Sequence, residues 1–477
     1  MELSRLAAAA SGRVVGASTP VADLAYRAQD AVAGSLFVCL RGASADGHDF
    51  APEALGRGAV ALAVDRQLDL PAPQIIVPDT RVAMARLAVA FFGDPSAELD
   101  VVGVTGTSGK TTTTFLTHAI LDAAGRRPGL LGTIESRVGD QRRPAVRTTP
   151  ESVDLQRTLR AMVDAGNRSV AMEATSHGSE QHRLDGVRFA ALAFTNLGQD
   201  HLDFHRTMER YFEAKRRLFD AGPPAAVNVG DEWGRRLAAG LPADRLLTFG
   251  FADDADLRPE GLELTAAGAS FTTGGLEIRT RLRGRFNVEN ALAAIALARL
   301  VGVEDEAIVA GLAGLTGVPG RFEGVDEGQP FTVVVDYSHK PDALANVLET
   351  ARTLATGRVI CVFGAGGDRD RAKRPMMGRI AADLADVAIL TSDNPRSEDP
   401  RAIAGEVAAG APGELDLILD RREAIRRAVE IAAPGDMVVI AGKGDEQGQE
   451  TAGRIEPFDD REVAREAIRA LPHQVSA

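Results

Sequence analysis

Only two cysteines occur among 477 residues, Cys39 and Cys361. They stand far apart in apolar runs and fit no spacing that would ligate a metal. Both are expected to be buried strand thiols of a protein in a reducing compartment. A surplus of cations is also missing: 54 Lys and Arg face 67 Asp and Glu, a formal net charge of −13. Nucleic acids and anionic membranes are captured by excess Lys and Arg. Neither is therefore an expected partner, and any phosphorylated ligand must be met by local cations or a metal. Nowhere do about 18 apolar residues follow one another. The opening MELSRLAAAASG carries Glu2 and only a short alanine run. This argues against secretion and membrane insertion and for a cytoplasmic protein. Internal repeats and low-complexity segments do not stand out either.

What is present is an ordinary share of apolar residues, 45%, enough for sizeable cores. At roughly 150 residues per domain the length suggests about three domains. From residue 100 onward short apolar runs alternate with helical patterns, as in parallel-sheet α/β proteins. Strands are predicted near 101–104, 169–173, 190–196, 225–229, 332–336, 359–364, 387–392 and 437–442. Helical patterns cover 111–124, 208–220, 288–301, 341–354 and 421–432. The stretch 261–284 differs: Leu262 and Leu264, then Leu276 and Ile278, alternate around Thr-Gly-Gly. That predicts an antiparallel hairpin on one edge of the sheet. Pro and Gly interrupt regular structure at 93–98 (GDPSAE) and 317–320 (GVPG), which places domains at 1–97, 98–319 and 320–477.

The strongest chemical signal is VVGVTGTSGKTTTT, residues 101–114, where a strand runs into a glycine loop and then a helix. Backbone N–H groups of such a loop, with the positive end of the helix dipole, wrap phosphate oxygens. Lys110 adds a charge, and Thr111 offers a hydroxyl to Mg²⁺. The strict phosphate-loop pattern fails by one position, because Val104 stands where the first Gly belongs and Gly103 is one residue early. The loop is drawn over 103–112, with Gly106 supplying flexibility. Such a loop serves kinases, switches, transporters and ligases alike, and a merely tight turn is the bland alternative. Glu173 ends a strand in VAMEATSHG, as a cation ligand or an ordinary strand-end acid. Asp200 and His201 follow another strand in TNLGQDHLDFH, where His201 is a candidate metal or phosphate contact. Lys215, beside Arg216 and Arg217, is expected to be a solvated charge on a helix surface.

Three later segments, GGDRD, DNPR and GKGDE, each follow an apolar strand, and a parallel sheet would bring them to one edge. Arg396, in a rigid Asn-Pro-Arg turn, offers a fork for a carboxylate, and Glu446 a partner for an ammonium group. The alternative is a turn proline among surface charges.

Taken in order, TGTSGKTT, MEATSHG, FTNLGQDHLDFH, YFEAKRRLF, GRFNVEN, PGRFE, DYSHKPDAL, GAGGDRDRAKRP, DNPRSEDP and AGKGDEQG resemble the Mur ligase family over nearly the whole chain from residue 20. The resemblance implies a monomeric three-domain α/β enzyme that uses ATP and Mg²⁺. A small N-terminal α/β domain would take a UDP-linked substrate. A central P-loop parallel-sheet domain would take ATP, and a C-terminal Rossmann-like domain the amino acid. In the implied reaction of peptidoglycan precursor synthesis, a carboxylate of UDP-N-acetylmuramoyl-dipeptide attacks the γ-phosphate of ATP. An amino group then displaces phosphate from the acyl phosphate.

By the same resemblance Lys110, Glu173, His201 and Lys215 are catalytic, with Thr111, Glu173, His201 and carbamylated Lys215 at the metal. ATP contacts fall on Gly106, Thr107, Ser108, Gly109, Lys110, Thr111, Thr112, Asn290, Arg321, Asp336 and His339. The UDP substrate is assigned to Tyr26, Ala28, Ala43, Ser44, Ala45, Arg147, Thr148, Thr149, Ser176, Gln181 and Arg183. In the family, DNPR accompanies meso-diaminopimelate, which points to Arg369, Asp393, Asn394, Pro395, Arg396, Gly442 and Glu446.

Four positions depart from the family pattern. Ala28 stands where Ser is usual, Ser108 where Asn is frequent, Asp445 in place of His in GKGHE, and Lys340 where Thr is common. The rival readings are a ligase adding L-lysine to the same substrate, opposed by DNPR, and a folate ligase, opposed by the N-terminal domain. A P-loop switch or transport ATPase, the rival from another class, would need no amino-acid pocket.

Overall fold

The computed structural model describes residues 1–42, 45–413 and 415–471. The chain separates into two compact units, Met1–Arg258 with Glu289–Gly311, and Pro259–Val288 with Leu312–Ala477. Among the described residues no helix is long and apolar enough to cross a membrane.

The first unit holds two sheets. A five-stranded sheet runs in the order Arg13–Val15, Gln74–Ile76, Ala61–Val64, Ser35–Val38, Asp23–Ala25, parallel except at its Arg13–Val15 edge. Leu3, Leu6, Met84 and Leu87, from helices Leu3–Ala9 and Thr80–Phe92, pack with Leu36 and Val38 in one core cluster. Phe37, Cys39 and Leu62 pack with Ala54 in another. Cys39 is free and buried, and burial pushes its thiol up to about 12.

An eight-stranded sheet follows, ordered Leu246–Phe249, Ala225–Asn228, Phe189–Phe194, Asp100–Thr105, Ser169–Glu173, Pro128–Leu131, Glu135–Val138, Gln141–Pro144. Its first six strands are parallel and its last two antiparallel. The strands Ala225–Asn228 and Ser169–Glu173 are buried at every residue, the pattern of parallel strands covered on both faces. The chain leaves Asp100–Thr105 for Pro128–Leu131, returns to Ser169–Glu173, then crosses to Phe189–Phe194 on the other side. Ligands of open α/β sheets bind beyond the carboxyl ends of strands at such a reversal. The loop after Thr105, Glu173 and the segment after Phe194 all lie at that end.

In the second unit a six-stranded sheet is ordered Glu323–Val325, Thr332–Asp336, Met437–Ala441, Val359–Phe363, Val387–Leu390, Asp416–Leu417, parallel apart from its first strand. Leu344, Met377 and Val407 belong to one core cluster over this sheet. Ile425, Val429 and Val463 belong to a second. Helices therefore cover both faces. The 261–284 expectation needs correction. Glu260–Thr265, Gly268–Thr273 and Leu276–Thr280 form a separate three-stranded antiparallel sheet, not an edge hairpin. The Thr-Gly-Gly turn is where it was expected, with Gly274 and Gly275 at φ 52° and 84°. The other turn, Ala266-Ala267-Gly268, lacks the usual paired turn residues and leaves no comparable sign in the sequence.

Candidate functional site

The loop after Asp100–Thr105 begins at Gly106, not at Gly103. Gly103 lies inside the strand, where an added Cβ would come 2.6 Å from Leu192. Its glycine serves sheet packing. Gly106 has φ 147° and Gly109 φ 83°, backbone that side chains rarely adopt. Added Cβ atoms there would meet Thr195 Oγ1 at 1.9 Å and Asn290 Oδ1 at 2.3 Å. The segment after Phe189–Phe194 pins the loop: Thr107 N donates to Asn196 O at 2.9 Å, Ser108 N to Asn196 Oδ1 at 2.9 Å, and Thr195 Oγ1 to Ser108 O at 2.7 Å. Lys110 and Thr111 then open the helix Lys110–Ala123, with Thr112 buried in its first turn. Asn290, on the helix Arg285–Leu300, accepts from Thr113 Oγ1 at 3.4 Å.

Glu173 is buried and held by three donors: Thr111 Oγ1 at 3.0 Å, Thr133 N at 2.7 Å and Thr133 Oγ1 at 3.1 Å. Thr133 Oγ1 also lies 3.1 Å from Thr148 Oγ1. It thus joins Glu173 to the Arg147-Thr148-Thr149 segment.

Lys215 overturns its expectation as a surface charge, because it is fully buried. Tyr211 and Lys215 are four residues apart on the helix Met208–Arg216 and so share a face. The ammonium sits 4.7 Å from the Tyr211 ring centroid and donates to Gly106 O at 2.7 Å. Lys110 Nζ donates to the same carbonyl at 3.0 Å. Burial, then the nearby Lys110 charge, pushes the Lys215 amine well below its ordinary value, against the pull of Asp200. The Tyr211 hydroxyl reaches Thr107 Oγ1 at 3.1 Å. His201 has φ 54° and lies in an aromatic group with His177 (ring centroids 4.6 Å apart) and Tyr211 (6.0 Å).

Beside this loop three guanidiniums converge on buried Glu151: Arg183 at 3.0 Å, Arg81 at 3.1 Å and Arg147 at 3.5 Å. Arg183 also donates to Thr149 O at 2.9 Å and to the Gln181 side chain. Burial lowers its pKa from the ordinary arginine value. Ser176 Oγ meets His205 Nε2 at 3.0 Å. In the N-terminal segment the Tyr26 hydroxyl donates to Asp154 Oδ2 at 2.5 Å. Burial, reinforced by that carboxylate, raises its pKa. Ala28 packs in the core and Ala45 is exposed. The assignments to Ala43 and Ser44 lie outside the described residues.

In the second unit Arg321 stacks 4.4 Å over the Tyr337 ring and lies 3.3 Å from Asp445 Oδ1. Asp336 accepts from Phe322 N at 2.8 Å and Ser338 N at 2.9 Å, bracing two loops. Its burial raises its carboxyl above the usual range. His339 Nδ1 lies 2.7 Å from Tyr337 O, and burial holds the ring at about 4, neutral near pH 7.

The DNPR turn and the GKGDE loop do meet in this unit. Asn394 Nδ2 donates to Glu446 Oε2 at 2.8 Å. Gly442, at φ 126°, lies so close that an added Cβ would be 2.6 Å from Asp393 Oδ2. Among the described residues that Oδ2 is a buried acceptor without a hydrogen-bond donor. Arg396, at φ 53°, donates to Gly367 O at 2.7 Å and sits 3.5 Å from Glu450 Oε2. The Pro395 carbonyl packs where a Cβ on Gly367 would lie, 1.9 Å away. Arg369 stays exposed on the neighbouring loop.

Comparison with known proteins decides the family. The model described as Mur ligase middle domain matches residues 104–298, that of the Mur ligase glutamate ligase domain 320–444, and that of the Mur ligase family catalytic domain 24–92. The chain belongs to the Mur ligase family. It is 46% identical over 469 residues, 95% of this chain and 96% of the relative, to UDP-N-acetylmuramoyl-L-alanyl-D-glutamate--2,6-diaminopimelate ligase of Geobacillus kaustophilus (strain HTA426). The protein of the same name from Thermosynechococcus vestitus is 48% identical over 450 residues, 91% of this chain and 90% of that one. A solved structure of a ligase bearing this name superposes with a TM-score of 0.71 at 35% identity, covering 95% of each chain. MurF ligase from Thermotoga maritima in complex with ADP shares the fold, with a TM-score of 0.62 at 21% identity over 94% of this chain and 96% of that one.

The oxygen donors at the Mur ligase loop suit Mg²⁺, which prefers hard ligands and keeps waters and substrate phosphates in its shell. Thr111 Oγ1 and Glu173 Oε1 are 3.0 Å apart. Among the described residues no group of three His, Cys, Asp or Glu is gathered for a metal, so a complete protein cage is not on offer. One or two protein oxygens beside substrate phosphates are what Mg²⁺ ordinarily needs. Sequence reasoning passed over Thr133, Asn196, Tyr211, Glu151, Arg81 and Lys443. The strand-end logic that singled out Glu173 applies equally to Thr133, two residues past Pro128–Leu131.

Proposed function

We propose that this chain joins meso-2,6-diaminopimelate to UDP-N-acetylmuramoyl-L-alanyl-D-glutamate, with ATP converted to ADP and phosphate, in cytoplasmic peptidoglycan precursor synthesis. The activity for which relatives at 46% and 48% identity are named supports it. The choice of acceptor follows from the Asp393–Arg396 turn. An arginine fork, the unpartnered buried Asp393 Oδ2 and the Glu446 carboxylate offer one cationic and two anionic groups. Such a set matches the distal centre of diaminopimelate, which carries both a carboxylate and an ammonium group.

The steps balance without a protein nucleophile. A substrate carboxylate oxygen bonds to the γ-phosphorus as the bond to ADP breaks. The acceptor amine then bonds to the acyl carbon as phosphate leaves, and a proton is lost. Catalysis of such transfers is mainly positioning and charge neutralisation. Lys110 and the loop N–H groups would hold the phosphates, and Thr111 and Glu173 the metal, which would neutralise phosphate charge. Arg321, Asp336 and His339 are the family's further nucleotide positions.

Lys215 would act as a carbamate. Its depressed pKa favours the neutral amine that adds to CO₂ with loss of a proton. The resulting anion would turn repulsion from Lys110 into attraction. The excess of guanidinium around Glu151 supports anion binding by Arg147 and Arg183, with Thr148, Thr149, Ser176 and Gln181 beside them and Tyr26, Ala28 and Ala45 at the uridine end. We divide the chain into an N-terminal domain over 1–97, a P-loop ATPase domain over 98–319 and a Rossmann-like domain over 320–477. The test is ADP release with the UDP-linked dipeptide, comparing meso-diaminopimelate and L-lysine. Release with meso-diaminopimelate alone is expected; equal release with L-lysine alone would reassign the acceptor, and release with neither would overturn the reading.

A further inference from the structure

Lys443 is fully buried two residues beyond the strand Met437–Ala441. A buried ammonium requires partners, and those of this one come from the Asp393–Arg396 turn and from Glu446 of its own loop. Its Nζ donates to Asn394 Oδ1 at 2.9 Å and lies 3.3 Å from Glu446 Oε2. Asn394 Oδ1 accepts a second hydrogen bond from Glu450 N at 2.9 Å. Two donors on one atom settle which end of the amide is oxygen. The amide nitrogen is thereby turned to Glu446 Oε2, 2.8 Å away. Lys443, Asn394 and Glu446 close a ring of three side chains.

We propose that Lys443 is a positioning residue for the amino-acid acceptor, orienting the Asn394 amide and tethering one Glu446 oxygen so that the other meets the acceptor's ammonium group. The proposal rests on the ligation reading above. It also carries a charge consequence. Asp393, Glu446 and Glu450 are three carboxylates around this turn, and without the Lys443 ammonium the surroundings of Arg396 become more negative. An acceptor with a distal carboxylate is then disfavoured relative to one without.

The test uses the full chain with the variants Lys443→Met and Asn394→Asp, assayed for ADP release while each of the three substrates is varied in turn. Asn394→Asp keeps the buried ammonium paired but replaces the donor to Glu446 by a repelling oxygen, so it answers the question even if Lys443→Met does not fold. Each variant is expected to raise KM for meso-diaminopimelate about tenfold or more, the scale of a lost charged hydrogen bond, with KM for ATP and for the UDP-linked dipeptide within about twofold. Lys443→Met should also lower the preference for meso-diaminopimelate over L-lysine. An unchanged meso-diaminopimelate KM in Asn394→Asp, or an equal rise in all three KM values, would overturn the proposal. The wild-type chain assayed alongside separates the two claims. If it turns over meso-diaminopimelate while the variants behave like it, only the role of Lys443 fails; if it is inert, the function itself fails.

Discussion

At the Gly106–Lys110 loop of the first unit two lysine side chains, Lys110 and Lys215, donate to one carbonyl, Gly106 O, and burial, then the Lys110 charge, holds the Lys215 amine well below its ordinary value against the pull of Asp200. Around the Asp393–Arg396 turn of the second unit three cations stand beside carboxylates: Lys443 beside Glu446, Arg396 beside Glu450, and buried Arg421 beside buried Asp460 at 2.7 Å. In the first arrangement two lysines share one acceptor, and the repulsion between them is eased when negative charge arrives. The second sets opposite charges beside one another and leaves the buried Asp393 Oδ2 without a donor among the described residues, so groups of both signs stand there. Burial raises the energetic weight of both arrangements, so the difference predicts different failures on mutation.

The largest effect should come from the lysine pair. Lys215→Met is expected to lower kcat for ADP release by about a thousandfold, the scale of a lost electrostatic contact to a transition state. KM for meso-diaminopimelate should barely move. A loss below about tenfold would remove this lysine from the chemistry and break the comparison. At the Asp393–Arg396 turn, Arg396→Ala should raise KM for meso-diaminopimelate about a hundredfold, the worth of a bidentate charged pair, with KM for ATP unchanged. A parallel rise in both would mean that the turn is structural.

Thr133→Val keeps the shape of the side chain but removes one donor from Glu173 and the link to Thr148. A fall in kcat of about tenfold is expected, read in the same assay, and an unchanged rate would show that Thr111 and the Thr133 backbone suffice.

The smallest effect is one that both units share. Burial holds His118 in the first unit and His339 in the second at about 4, against an ordinary 6.5. An unfolded chain takes up these protons near 6.5 and the folded chain only near 4, so stability rises with pH across that window and falls as pH drops through it. Tm should therefore decline between pH 7 and pH 5, and His118→Gln should flatten part of that slope. An unaltered slope would assign the acid sensitivity elsewhere.

Much of the fold was legible wherever local chemistry and burial agree. The apolar run Thr332–Asp336 and the helix Pro341–Leu354, opened by a proline that favours the first helical turn, lie where the sequence places them. The helix predicted over 208–220 ends at Arg216 and continues only as a short 3-10 turn, Arg217–Phe219. The burial of Lys215 was not legible, because its charge argues for solvent while its four-residue spacing from Tyr211 argues for a shared face. Only the packing decides between them. Gly103 misled for a related reason: a glycine beside a phosphate loop resembles part of the loop, and only the neighbouring Leu192 and Phe189 show that it makes room inside the sheet.

By itself the sequence determined the elements, their α/β alternation and the motifs that mark the family, since these depend on local periodicity, turn chemistry and short spacings. The tertiary structure alone decided which distant groups share a charge. Thr133 lies 40 residues from Glu173, Lys443 49 from Asn394, and Lys215 109 from Gly106. Partners so far apart in the chain are chosen by sheet order and burial, which no local pattern encodes.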